Sequence, residues 1–163
     1  MALDVAEASL RSVNVGKRVF LVAIIAVVFA AAADARLVVQ RGIAGVRIDM
    51  SQKKVRAILG KPKSVIQGQN AEGPFIEWRY RLLDVDFQNG GPVSSVATSR
   101  TKERTVNGVG VGSTQSKVLA KVRGAKCANG LCKVGILKPG KIVTTFYMRK
   151  GRVVLISVGR VID

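Results

Sequence analysis

Apolar and polar positions alternate most clearly in the middle of the chain. Ile76, Trp78 and Tyr80 interleave with Glu77, Arg79 and Arg81, and Leu83, Val85 and Phe87 interleave with Asp84 and Asp86. A period of two marks half-buried strands. Asn89-Gly90-Gly91-Pro92 then turns the chain into a third strand over Val93–Thr98. Near the C-terminus, Ile142–Met148 and Val153–Val158 flank a Lys150-Gly151 turn. The polar stretches Ser99–Asn107 and Gln67–Pro74 read as a linker and a mobile loop.

Two short helical signals stand apart from these strands. Ser51 is a good N-cap, Val55, Ile58 and Leu59 form an inward stripe, and Gly60 with Pro62 stops the helix. Thr114 caps the second, with Val118, Leu119 and Val122 inward and Gly124 near its end. Gly45–Ala57 is echoed from Gly108 to Ala120 at a constant offset, with Gly, Val, Gln, Lys, Val and Ala recurring in place. The expected fold class is therefore α+β. Two tandem helix-plus-antiparallel-strand repeats, at about 43–98 and 106–160, would form one sheet with both helices packed on one face.

The first 35 residues predict a separate fate. Lys17-Arg18, the apolar run Val19–Ala33 and Ala33-Asp34-Ala35 follow the order of a secretory signal, with cleavage between Ala35 and Arg36. The run is shorter than the roughly 18 residues a spanning helix needs. Residues 36–163 then form a single exported domain. Acting outside the cytosol, secreted or at the envelope, is the expected setting.

Charge sharpens this picture. The formal net charge is +17. Within the leader Arg11, Lys17 and Arg18 cancel Asp4, Glu7 and Asp34, so the whole excess lies on the exported part. Such a field attracts anionic partners and weakens with salt. The expected partner is an acidic protein, a wall polymer or a lipid head group at a membrane surface; nucleic acid is not expected of an exported chain.

Cys127-Ala128-Asn129-Gly130-Leu131-Cys132 places an Asn-Gly hairpin signal between two cysteines. Ala128 faces Leu131 in the closing pair, and Cys127 then faces Cys132 in the next pair, where Cα atoms lie about 4.5 Å apart. A disulfide stapling this hairpin is the expectation, in an oxidising compartment. The chain has no histidine, and two sulfurs alone make a poor zinc cage. No metal or cofactor is expected.

The other motifs read as surface or core. Gly108–Ser113 fits no phosphate-loop pattern, because Ser113 stands where a third glycine belongs. Glu77, Asp84 and Asp86 lie among arginines as a charge-balanced outer face, with Arg79 opposite Asp84. Usual nucleophilic triads need a histidine, so no catalytic residue is assigned. Arg79, Arg81, Tyr147 and Arg149 are the candidate binding residues, since Tyr and Arg are typical interface anchors.

The phrase Gly-x-x-x-Asp-Met-Ser-x-x-x-Val-x-x-x-Leu-Gly-x-Pro, Gly45 to Pro62, resembles the signature of outer-membrane assembly lipoproteins of the SmpA/OmlA (BamE) type. Two such units in tandem resemble the secreted β-lactamase inhibitory proteins, whose repeats build a sheet with a concave protein-binding face. The resemblance implies that fold and an extracytoplasmic location. The chain departs from the lipoproteins in having no cysteine near its expected cleavage point. The functional expectation is a non-enzymatic binding module. An inhibitor of a secreted or periplasmic enzyme such as a β-lactamase, or an envelope assembly factor, is the alternative.

Overall fold

The computed structural model describes residues 36–162; the expected leader over 1–35 and its cleavage point lie outside the described residues. The elements run β1 (Leu37–Val38), β2 (Gly42–Ile43), β3 (Val46–Arg47), α1 (Gln52–Leu59), β4 (Ser64–Asn70), β5 (Gly73–Tyr80), β6 (Leu83–Gln88) and β7 (Val93–Thr98). After these come α2 (Gln115–Lys121), β8 (Lys126–Ala128), β9 (Leu131–Val134), β10 (Ile142–Arg149) and β11 (Arg152–Arg160). β4 to β11 form one antiparallel sheet in the order β4-β5-β6-β7-β11-β10-β9-β8, and β1-β2-β3 form a separate small sheet.

The alternating segments became the strands their pattern predicts. Leu83, Val85 and Phe87 are buried on β6, opposite Thr98, Val96 and Val93 of β7. β7 pairs with β11 at the middle of the sheet, through Val96 with Val158 and Thr98 with Ile156. Phe146 on β10 faces Ile156 on one side and Cys132 on the other. These side chains share one core, joined by Leu37, Ile43 and Val46 of the small sheet and by Val55 and Val118 of the helices. Trp78 meets Phe87 edge-on, with ring centroids 4.8 Å apart.

The expected α+β class is overturned. Among the described residues 47% are strand and 12% helix, with an eight-stranded and a three-stranded sheet, so the chain is mostly β and not two helix-plus-strand repeats. The helices are too slight to make a layer. Each is capped as its sequence predicts, with Ser51 Oγ accepting from the Lys54 amide at 3.5 Å and Thr114 Oγ1 from that of Lys117 at 3.2 Å. Yet within each helix only one valine is fully buried, Val55 and Val118. Ile58 and Leu119, expected to face inward, are 47% and 49% exposed. β1 to β3 supply core residues that a helix layer would otherwise provide.

Gln67–Pro74, expected as a mobile loop, is a paired hairpin, strand except for the turn at Ala71-Glu72. It forms most of β4 and the start of β5, paired without interruption from Ser64 with Arg79 to Asn70 with Gly73. An edge strand lies beyond the core and needs no alternation, so its sequence carries no period-two signal. The hairpin staple is present: Cys127 pairs with Cys132 and Ala128 with Leu131, the disulfide is formed, and the two Cα atoms are 4.0 Å apart. Asn129 and Gly130 have φ of 50° and 73°, the two positive values a tight two-residue hairpin requires.

Candidate functional site

The small sheet shapes one side of a groove. β1 and β2 pair through Leu37 with Ile43 and Val38 with Gly42, and β2 and β3 through Gly42 with Arg47. A Cβ at Gly42 would run into the Val46 carbonyl, so only glycine allows this close pairing. The Gln40 amide donates to Thr144 Oγ1 at 2.6 Å, and its side-chain Nε2 donates to the Ile142 carbonyl at 3.0 Å, tying the small sheet to β10. β1 and β3 thereby hold Arg36 and Arg47 beside α1.

The groove has a volume of about 630 Å³ and combines cations with apolar surface. Arg36, Arg47, Arg100 and Lys102 line it, together with Val38, Ile58, Leu59 and Tyr80, and its lining includes no carboxylate. Val38 is 44% exposed, so apolar surface is open to an incoming group alongside the charges. Three of these cations, Arg36, Arg47 and Lys102, have no ion-pair partner among the described residues, and gathered in one concavity they concentrate positive potential.

Arg100 is the most firmly held of the four. Its Nε donates to the Arg81 carbonyl at 2.6 Å, and its amide to Thr98 Oγ1 at 3.1 Å. Its Nη1 lies 3.7 Å from Oε1 of Glu103. Glu103 is fully buried, and neither carboxylate oxygen has a hydrogen-bond partner. A buried carboxylate with one nearby guanidinium fixes that guanidinium's place, because either charge alone would be costly. At the far wall the Tyr80 hydroxyl donates to the Gly60 carbonyl at 3.1 Å. Burial pushes the Tyr80 phenol above its ordinary pKa, and nearby Arg56 pulls it partly back. Arg56 itself lies 5.1 Å from the Trp78 ring centroid.

The candidate binding residues do not converge on this groove. Arg79 stands on the outer face of β5, where its ion pair runs to Glu77, although the register does place it opposite Asp84. Tyr147 is on the same outer face of β10, 38% exposed, beside a cleft of about 230 Å³ with Lys133, Leu137 and Thr145. Four strand spacings separate β5 from β10, roughly 19 Å. Arg149 closes β10 opposite Arg152. Arg81 lies in the turn after β5 and reaches the groove only through its carbonyl, which Arg100 grips.

The groove's own cations went unrecognised in the sequence. Arg100 and Lys102 sit in the stretch read as a linker, Arg36 precedes β1 and Arg47 ends β3, two-residue strands with no periodicity. The one usable sign was the density of basic residues around a lone Glu103 in that linker. Among the described residues no group of three or more His, Cys, Asp or Glu is placed to hold a metal. None of their helices is long and apolar enough to cross a membrane. Chemically the groove offers cations and apolar surface, with its tyrosine hydroxyl already engaged.

No protein-family model and no curated protein matches the chain. Two solved structures are similar in shape. One is an extracellular protein containing an SCP domain from Bacillus anthracis str. Ames, at 9% identity and a TM-score of 0.48, over 69% of this chain and 44% of that one. The chain thus spans less than half of that protein's length. The other is the DUF4309 family protein YjgB from Bacillus subtilis subsp. subtilis str. 168, at 14% identity and a TM-score of 0.45, over 79% of this chain and 90% of that one. Both scores fall below 0.5, and neither likeness bears on what the groove does.

Proposed function

We propose that the chain is an exported, non-enzymatic binding module that captures an anionic partner through the groove between the small sheet and α1. One observation carries this reading: Arg36, Arg47 and Lys102, which form no ion pair among the described residues, meet in a concavity with no carboxylate in its lining, beside Arg100, whose charge the buried Glu103 offsets. The formal net charge of +17 adds long-range attraction to the same class of partner. Export is supported by the signal-like order of the first 35 residues and by the Cys127–Cys132 disulfide, which persists in oxidising compartments. The resemblance of the Gly45–Pro62 phrase to SmpA/OmlA-type proteins supports a place at the envelope. The partner classes are an acidic protein, a wall polymer or a lipid head group.

Binding of the purified protein to anionic vesicles, neutral vesicles and anionic wall polymer, measured across a salt series, tests this. The expected result is retention on at least one anionic surface, falling steeply with salt. Reversing Arg47 and Lys102 to glutamate should lower the affinity about tenfold or more, a loss of roughly 1.4 kcal/mol. Equal binding to neutral vesicles, or binding indifferent to salt and to both reversals, would end the proposal.

A further inference from the structure

The strongest unexplained feature outside the groove is β4, an edge of the large sheet. Its sequence, Ser64-Val65-Ile66-Gln67-Gly68-Gln69-Asn70, has no charged residue and no proline. All seven residues pair in unbroken register with β5, so no bulge twists the strand away. All but Ile66 are exposed. Natural sheets protect edges of this length with lysines, prolines, bulges or covering elements, because an open edge recruits another strand. The opposite edge, β8, follows that rule: it has three residues, begins with Lys126 and is stapled by Cys127. Of the two edges of the large sheet, β4 alone is left open.

We infer that β4 pairs antiparallel with β4 of a second copy of this chain, joining the two large sheets across a two-fold axis at Gln67. That register is self-complementary in shape. It sets Ile66 of each copy against Gly68 of the other, and Phe75 already lies over Gly68, so closely that an added Cβ would meet its ring at 2.7 Å. Each Ile66 therefore gains an aromatic neighbour where the partner strand has no side chain of its own. The ends are complementary in charge. Lys61 and Lys63 of each copy come to the Glu72 end of the other, and all three side chains lack an ion-pair partner among the described residues. An isologous contact of this kind closes at two copies. Elsewhere the copies repel, each bearing a formal +17, so added salt strengthens the pairing while it weakens capture of an anion. The inference is independent of the groove.

Sedimentation of the full chain over a range of concentration and salt, together with cysteine cross-linking, tests it. The native cysteines are both in the disulfide, so an introduced thiol reports alone. Gln67→Cys places two thiols directly opposite, at strand-pair distance of about 4.5–5.5 Å between Cα atoms, and should cross-link readily. Ser64→Cys, which faces Asn70 of the partner, should not. Ile66→Lys should give a monomer whose thermal transition no longer depends on concentration and matches that of the parent at dilutions where the parent is itself monomeric. A chain monomeric at every concentration, association that survives Ile66→Lys or dissolves on adding salt, or equal cross-linking at positions 64 and 67 would each overturn the pairing.

Discussion

Arg160 Nη2 donates to both carboxylate oxygens of Asp49, at 2.7 and 2.6 Å, across 111 residues of chain. The contact fastens the turn after β3 to the last residue of β11, and Arg160 Nη1 also donates to the Gly140 carbonyl at 2.6 Å. Both partners remain substantially open to water, with side chains 35% and 58% exposed. Solvent screening limits such a pair to about 0–1 kcal/mol. The backbone at Asp49 matters more, because its φ is 68° and Asp and Asn tolerate that region better than branched residues do.

Asp49→Asn should accordingly cost less than about 1 kcal/mol, whereas Asp49→Val should cost roughly 1–3 kcal/mol from backbone strain. Urea unfolding of both variants measures the two figures. A larger loss for the asparagine than for the valine would reverse the ranking of ion pair and backbone.

The buried Glu103 gives a sharper test. Its carboxylate has no hydrogen bond, and Arg100 is its one ion-pair partner among the described residues. Arg100→Ala should destabilise the chain by about 3–5 kcal/mol, because it strands a buried charge. Glu103→Met introduced into that background should recover most of the loss, since the stranded charge is gone. Thermal unfolding of the two single variants and the double variant forms the cycle. A loss well under 1 kcal/mol for Arg100→Ala, with no recovery in the double variant, would show that the two residues are uncoupled.

What the sequence revealed and what it hid divide along physical lines. β5, β6 and β7 were legible because Ile76, Trp78, Leu83, Val85 and Phe87 alternate with polar residues, as a one-sided core demands. The stapled hairpin was legible because Asn129-Gly130 dictates its own turn. β1 to β3 were hidden, each having two residues and so no period to detect. Ile58 and Leu119 misled because helical spacing shows which residues share a face and not whether anything covers it. The groove was hidden most deeply. Arg36, Arg47, Arg100 and Lys102 come from separate segments that only tertiary packing gathers, and the polar surroundings of Glu103 gave no hint that it is fully buried.

The Cys127–Cys132 bond closes a very short loop, so it removes little freedom from the unfolded chain. Replacing both cysteines by serine should cost less than the roughly 3 kcal/mol that chain entropy assigns to a fifteen-residue loop, even though Cys132 is fully buried. Thiol labelling of the native protein without reductant should find nothing, and labelling of Cys127 under those conditions would contradict the staple.

The outer face of the sheet predicts a pH dependence whose sign is fixed. Burial pushes the Asp86 carboxyl above its ordinary pKa, the Ser95 hydroxyl that donates to it pulls back, and Glu77 and Asp84 push it further up while Arg79 opposes them. Burial raises Asp84 in the same way, reinforced by Glu77 and opposed by Arg79 and Arg100. In the window between the ordinary and the raised values the folded chain holds protons that the unfolded chain has released. The contribution of these groups to stability is therefore fully present below the ordinary carboxylate pKa and is lost as pH rises through the raised values. Asp86→Asn, which keeps an acceptor for Ser95, should raise the unfolding midpoint at neutral pH, and that gain should shrink as the solution is acidified through the window. Thermal unfolding of both proteins over an acid-to-neutral series measures it. A variant less stable than the parent at neutral pH, or a gain that grew on acidification, would show that the carboxylate at position 86 is favourably held in its charged form.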